Sequence, residues 1–214
     1  VTTIVFAPFQ ELAETLLAHW NDADGDGSHD TSHVQRVWKN AAAIHAEEGG
    51  DAEVLFAATL LHDCVAVEKN SPLRAQASRL SAERATQVLK SLGWADAKVR
   101  AVAHAVEAHS FSAGLVPMTL EAKTLQDADR LDAIGMLGGA RCFYVAGRMG
   151  SALYDPVDPH ARERELDDTR FAIDHFRTKL LKLASGFQTV TGARLAKLRH
   201  DRLRRFLDEF ADEI

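Results

Sequence analysis

An all-α fold is the class this sequence predicts, and three observations predict it. The 214 residues hold only five prolines. Long stretches are rich in Ala, Leu, Glu and Arg, which form helices readily. No run alternates apolar and polar residues as a half-buried strand does. Apolar residues make up 46% and charged residues 26%, ordinary proportions for a globular domain. The length supports one good core without requiring two. A single domain over 1–214 is expected, with its motifs in about residues 25–160 and a C-terminal helical extension over about 161–214.

The elements follow in order. A first amphipathic helix is expected from about Phe9 to Trp20, ending at the acidic, Gly-containing loop Asn21 to Ser28. A second runs from about Asp30 to Glu48 and stops at Gly49-Gly50, a helix-terminating pair. The run Asp51 to His62 is apolar enough to be a central buried helix, with Asp51 as its N-cap. A polar loop from Val65 to Arg74 precedes helices at about Ala75 to Leu92 and Ala95 to His109. Ser110 to Pro117 forms another loop, followed by a helix from about Thr119 to Ala133. Gly135, Gly138 and Gly139 point to a following helix packed close to its neighbours, or to a break. After Pro156 and Pro159, two long helices are expected at about Ala161 to Ala184 and Val190 to Glu213.

Composition removes several function classes. A net charge of -6 gives no broad basic surface for nucleic acid or anionic membrane. No segment approaches about 18 uninterrupted apolar residues, so no membrane span is expected. The opening Val-Thr-Thr-Ile-Val-Phe lacks the basic start of a signal peptide. Cys64 and Cys142 are too few for a disulfide framework and form no CxxC pair. Both read as reduced core thiols, and the cytoplasm is the expected location.

Three clusters stand out chemically. His62 and Asp63 sit together at the end of an apolar run, where a charged carboxylate must find a partner. A divalent cation satisfies both; a hydrogen-bonded His-Asp pair at a helix end is the plainer alternative. In the segment His29 to Val37, His33 lies beside the apolar positions Val34, Val37 and Trp38, with Arg36 three residues on. It reads either as a satisfied core histidine or as a ligand. Asp127, Asp129 and Asp132 fall within six residues beside Leu125, Leu131 and Ile134. Their mutual repulsion needs a cation, and a solvated acidic face fits poorly among those apolar neighbours. Asp129 and Asp132 share a face, whereas Asp127 is about 200° away from Asp129. Asp22-Ala23-Asp24-Gly25-Asp26-Gly27 resembles half of an EF-hand loop. The twelfth position is His33 rather than Glu, which argues against calcium binding there.

Together these clusters resemble the HD-domain superfamily, named for its paired His-Asp, and within it the small bacterial HD phosphohydrolases. The shared pattern is His29-Asp30-x-x-His33-x-x-Arg36-Val37, then Leu61-His62-Asp63, then Lys69-Asn70 near Arg74. It continues with His109-Ser110-Phe111-Ser112 and Gln126-Asp127-Ala128-Asp129-Arg130-Leu131-Asp132-Ala133-Ile134-Gly135. The resemblance implies four metal ligands, His33, His62, Asp63 and Asp129, with Asp127 as the competitor for the last place. Mixed imidazole and carboxylate ligands suit Mn²⁺, Mg²⁺, Ni²⁺, Co²⁺, Fe²⁺ or Zn²⁺.

The implied activity is metal-dependent phosphohydrolysis of a nucleotide, with a (deoxy)nucleoside triphosphate cut to monophosphate and pyrophosphate. Asp63 or Glu68 would orient and deprotonate water. His109 would serve as general acid or as a support for the site. Lys69 and Arg74 would bind distal phosphates, and His29, Asp30, Arg36, Asp127 and Arg130 would support the ligands. Three alternatives stay open: phosphomonoesterase action on a nucleoside monophosphate or another phosphoester, a non-enzymatic nucleotide-binding module, and a two-iron oxygenase. The last needs a doubled ligand set that this chain lacks. A homodimer through the terminal helices is possible on sequence grounds.

Overall fold

Every residue from Val54 to Leu61 is buried, so the apolar run becomes a helix with no solvent-facing side. The structure is a computed structural model and describes residues 3–20, 31–67, 71 and 73–214. Its helices are α1 (Gln10–Leu17), α2 (Thr31–Glu48), α3 (Ala52–Leu61), α4 (Ala77–Ser91), α5 (Asp96–Ala108), α6 (Leu120–Asp132), α7 (Gly135–Met149), α8 (Ala172–Thr178) and α9 (Val190–Asp212). Short 3-10 turns join some of them, and one isolated bridge pairs Ala152 with Phe171. No strand occurs among the described residues, so the fold is all-α as expected. The chain divides into two compact units, Val1–Asp129 and Arg130–Ile214, with the division inside the last turn of α6.

In the first unit α3 packs against α1, α2, α4 and α5. Asp51 caps it as predicted, its carboxylate accepting from the N–H groups of Glu53 at 3.0 Å and Val54 at 3.1 Å. Such a cap stabilises a helix by about 1 kcal/mol. Phe56 anchors the core beneath, stacked on Phe9 at 4.8 Å and edge-on to Trp38 at 4.8 Å and Phe6 at 5.9 Å. These contacts fix the axis of α3, and therefore where its C-terminal end presents His62 and Asp63.

In the second unit α7 packs against α8 and α9. Phe143, Phe176, Phe206 and Phe210 stack around the buried Ile173, Leu180 and Leu203. The glycines of α7 pack closely, one of the two outcomes anticipated. A Cβ on Gly138 would lie 2.3 Å from the Ala133 carbonyl oxygen, and one on Gly139 would meet the Phe176 ring at 3.4 Å.

The expected helix from Ala161 to Ala184 is corrected. Only Ala172–Thr178 is α-helical, followed by a 3-10 turn at Leu180–Lys182. The preceding loop satisfies its backbone through aspartates instead. Asp158 accepts from the N–H groups of Arg162, Glu163 and Arg164, and Asp155 from those of Val157 and Asp158. Side-chain acceptors of this kind compete with helix formation. Arg164 then closes the loop with a two-pronged bond to the fully buried Asp174, at 2.6 and 3.0 Å.

Candidate metal centre

Helix ends build the site. His62 is the C-cap of α3 and Asp63 follows it; His109 is the C-cap of α5; Asp129 lies in the last turns of α6. Helix C-termini carry partial negative charge, which favours a cation. His33, the third residue of α2, enters from that helix's buried face beside Val34 and Val37.

The donor atoms converge. The Nε2 atoms of His33 and His62 are 3.2 Å apart. Asp129 Oδ1 is 3.5 Å from His33 Nε2, and Asp63 Oδ2 is 3.6 Å from His62 Nε2 and 4.0 Å from His33 Nε2. Ligand atoms around one ion, each bonded at about 2.0–2.2 Å, adopt separations of this order. Both imidazoles are buried, while the carboxylates of Asp63 and Asp129 are 30% and 29% exposed. The site therefore has a buried histidine floor and a carboxylate rim open to solvent.

The tautomer of His62 fits the same use. Its Nδ1 donates to the Thr59 carbonyl at 2.7 Å, which leaves the Nε2 lone pair facing the cluster. Burial pushes its pKa down to about 4, against the pull of Asp63, so the ring stays neutral. His109 repeats the local geometry, with Nδ1 donating to Val106 O at 2.6 Å. Its Nε2 lies 3.6 Å from Asp63 Oδ1. Burial lowers its pKa, but Asp63 and Asp129 outweigh that and push it up to about 9. Without a metal the two neighbouring histidines thus sit in opposite states: burial dominates for His62, whereas Asp63 and Asp129 outweigh it for His109. The donor set fits a divalent cation, with His33, His62 and Asp129 as one convergent group and His62, Asp63 and His109 as another.

Other sequence-singled residues fall in several places. Asp127 is fully buried and belongs to neither convergent group. Arg36 donates to Ser32 Oγ at 2.7 Å along α2. Arg130 donates to the carbonyls of Leu183, Ser185 and Gly186 and lies over the Phe187 ring. Arg141 pairs with Asp132 at 3.2 Å. His29, Asp30, Glu68, Lys69 and the acidic loop 22–27 lie outside the described residues, as does the side chain of Arg74.

Two buried polar residues, Asn40 and Gln126, carry no role in the sequence motifs. Asn40 donates to Ala128 O at 3.0 Å and Gln126 to Ala108 O at 2.8 Å. The available signal was a polar residue on the apolar stripe of Val37, Ala41 and Ile44, seven residues after His33.

Comparison with known proteins places the chain in a family. The HD domain family matches residues 31–134. YpgQ of Bacillus subtilis, an uncharacterized protein, is 33% identical over 195 residues, covering 89% of this chain and 87% of its own length. Among solved structures, an HD-superfamily hydrolase from Bacillus thuringiensis superposes with a TM-score of 0.74 at 29% identity, covering 95% of this chain and 97% of the other. The Bacillus subtilis YpgQ structure in complex with ADP gives 0.73 at 29% identity, covering 98% and 96%. The chain belongs to the HD-domain superfamily, and its class is that of the metal-dependent phosphohydrolases. No described helix is long and apolar enough to cross a membrane.

Proposed function

We propose that the chain hydrolyses a nucleotide, cutting a (deoxy)nucleoside triphosphate to monophosphate and pyrophosphate, with its divalent ion held by His33, His62, Asp63 and Asp129. The observation that carries the nucleotide assignment is the similarity to a protein whose structure holds ADP. The converging imidazole and carboxylate atoms support the ligand assignment.

A divalent ion in this set supplies positive charge to the phosphoryl group and acidity to the attacking water. The residues do the rest. His33 and His62 exclude water from the floor of the site by their burial. Asp63, one-third exposed, orients the attacking water; Glu68 is assigned to share this role on sequence alone. The water oxygen bonds to the α-phosphorus, its proton passes to the carboxylate, and the bond from that phosphorus to the bridging oxygen breaks. In this reading His109, whose Nε2 lies 3.6 Å from Asp63 Oδ1, donates a proton to the departing pyrophosphate. Lys69 and Arg74 are assigned to the distal phosphates from their place after the His-Asp pair. His29, Asp30, Arg36 and Arg130 retain supporting roles in this reading.

Incubating metal-loaded protein with a nucleotide panel and separating products by chromatography tests the proposal. Monophosphate with pyrophosphate is the expected pair. Orthophosphate from monophosphates would replace this reading with a phosphomonoesterase, and tight binding without turnover would replace it with a binding module.

A further inference from the structure

Side-chain N–H groups from three places in the first unit reach main-chain carbonyls just ahead of the site residues. Asn40 of α2 donates to Ala128 O, one residue before Asp129. Gln126 of α6 donates to Ala108 O, one residue before His109. The Trp20 indole donates to Leu60 O at 2.8 Å, two residues before His62. These bonds span 88, 18 and 40 residues of sequence, so each ties one segment to another.

We propose that Asn40 and Gln126 are positioning residues of the metal centre, setting the register of α2 on α6 and of α6 on α5 so that His33, Asp129 and His109 meet. The inference rests on the ligand assignment made above. Asn40 follows His33 by seven residues, about two helical turns, and so projects from the same face of α2. One helix face thus carries a metal-directed imidazole and the clamp on the helix bearing Asp129. Gln126 precedes Asp129 by three residues and clamps the end of α5. Together they close a chain from α2 through α6 to α5.

Stability alone gives a poor account of Gln126. Its carbonyl partner fixes which end of the amide is nitrogen, and the other end, Oε1, is buried with no hydrogen-bond partner among the described residues. A buried, unsatisfied carbonyl carries a desolvation penalty that an apolar side chain of the same shape avoids. What the amide supplies in exchange is the N–H held on Ala108 O. The Ala128 carbonyl lies within α6, so what Asn40 adds there is placement; Ala108 ends α5, where a carbonyl has no partner in its own helix, and Gln126 both satisfies it and fixes where α5 stops.

The test uses the full chain, stripped by chelator, with Mn²⁺ as the probe in isothermal titration. The variants are Asn40→Leu and Gln126→Met, with Asn40→Ala and Gln126→Ala to be used if those do not fold. Val88→Ala, a buried position on α4, a helix that carries none of the site residues, serves as a control that loosens the core. Removal of groups that orient metal ligands weakens metal affinity about tenfold or more. The expected result is that loss for the Asn40 and Gln126 variants, with Val88→Ala binding like the wild type at a comparable fall in melting temperature. Unchanged affinity in the clamp variants, or equal weakening in Val88→Ala, overturns the positioning role while leaving the ligand assignment intact. A wild-type chain that takes up no Mn²⁺ overturns the ligand assignment itself, and this inference with it.

Discussion

His109 and His62 face the same carboxylate, Asp63, through different oxygens: Oδ1 lies 3.6 Å from His109 Nε2 and Oδ2 lies 3.6 Å from His62 Nε2. The carboxylate therefore couples the proposed ligand side of the site to the proposed acid. A proton on His109 and a divalent ion are two ways of meeting the same negative charge.

Removing that charge should release His109. In Asp63→Asn the ring loses its principal cationic support, while Asp129 contributes less. NMR titration of the metal-free protein should show the His109 pKa falling from about 9 toward or below 6.5. A value still near 9 would mean that another group holds the proton.

The two histidines also give the metal-free fold opposite pH dependences. His109 has a raised pKa, so its stabilising contribution is complete below about pH 6.5 and is lost as pH rises through about 9. His62 has a lowered pKa, so protonation in the unfolded chain costs stability as pH falls from 6.5 toward 4. Urea unfolding in the presence of chelator should show His109→Gln abolishing much of the loss between pH 6.5 and 9. The acid limb from His62 should survive that change. Identical curves for the variant and wild type above pH 6.5 would refute the His109 assignment.

Arg164 and Asp174 provide a prediction in the second unit. Asp174 is fully buried and meets the guanidinium through both oxygens. Arg164→Met strands that carboxylate and should cost about 3–5 kcal/mol in chemical unfolding. Arg164→Met with Asp174→Leu should recover much of it, since no buried charge is left unpaired. A small loss in the single variant would show that the loop aspartates hold this segment without the pair.

Much of this was legible in sequence, for identifiable reasons. The run before His62 is apolar on all sides, and Asp51 offers a cap at its start; together they specify α3 to within a residue. The paired His62-Asp63 showed as polar groups at the end of a buried segment. What periodicity could not supply was the end of helix formation near 161–171, where Asp155, Asp158 and Asp167 bind backbone N–H groups and Arg164 reaches Asp174. Those residues are common on helix surfaces, and only their three-dimensional partners show that they hold a loop. Arg130 is similar: set in an acidic motif and expected to support the ligands, it donates to three carbonyls of the 183–186 turn. Asn40 and Gln126 escaped for the same reason, since their partners are backbone atoms far away in sequence.

The ligand set is tested most directly by the ion stoichiometry of chelator-stripped protein titrated with Mn²⁺, for the wild type and for His33→Ala, His62→Ala, Asp129→Ala and Asp127→Asn. One ion per wild-type chain is expected, with binding lost in the first three variants and kept in Asp127→Asn. Phosphohydrolase activity should follow the same division. Retention of the ion by Asp129→Ala, with its loss in a folded Asp127→Asn, would contradict the assignment of Asp129 and with it the geometry proposed for the site.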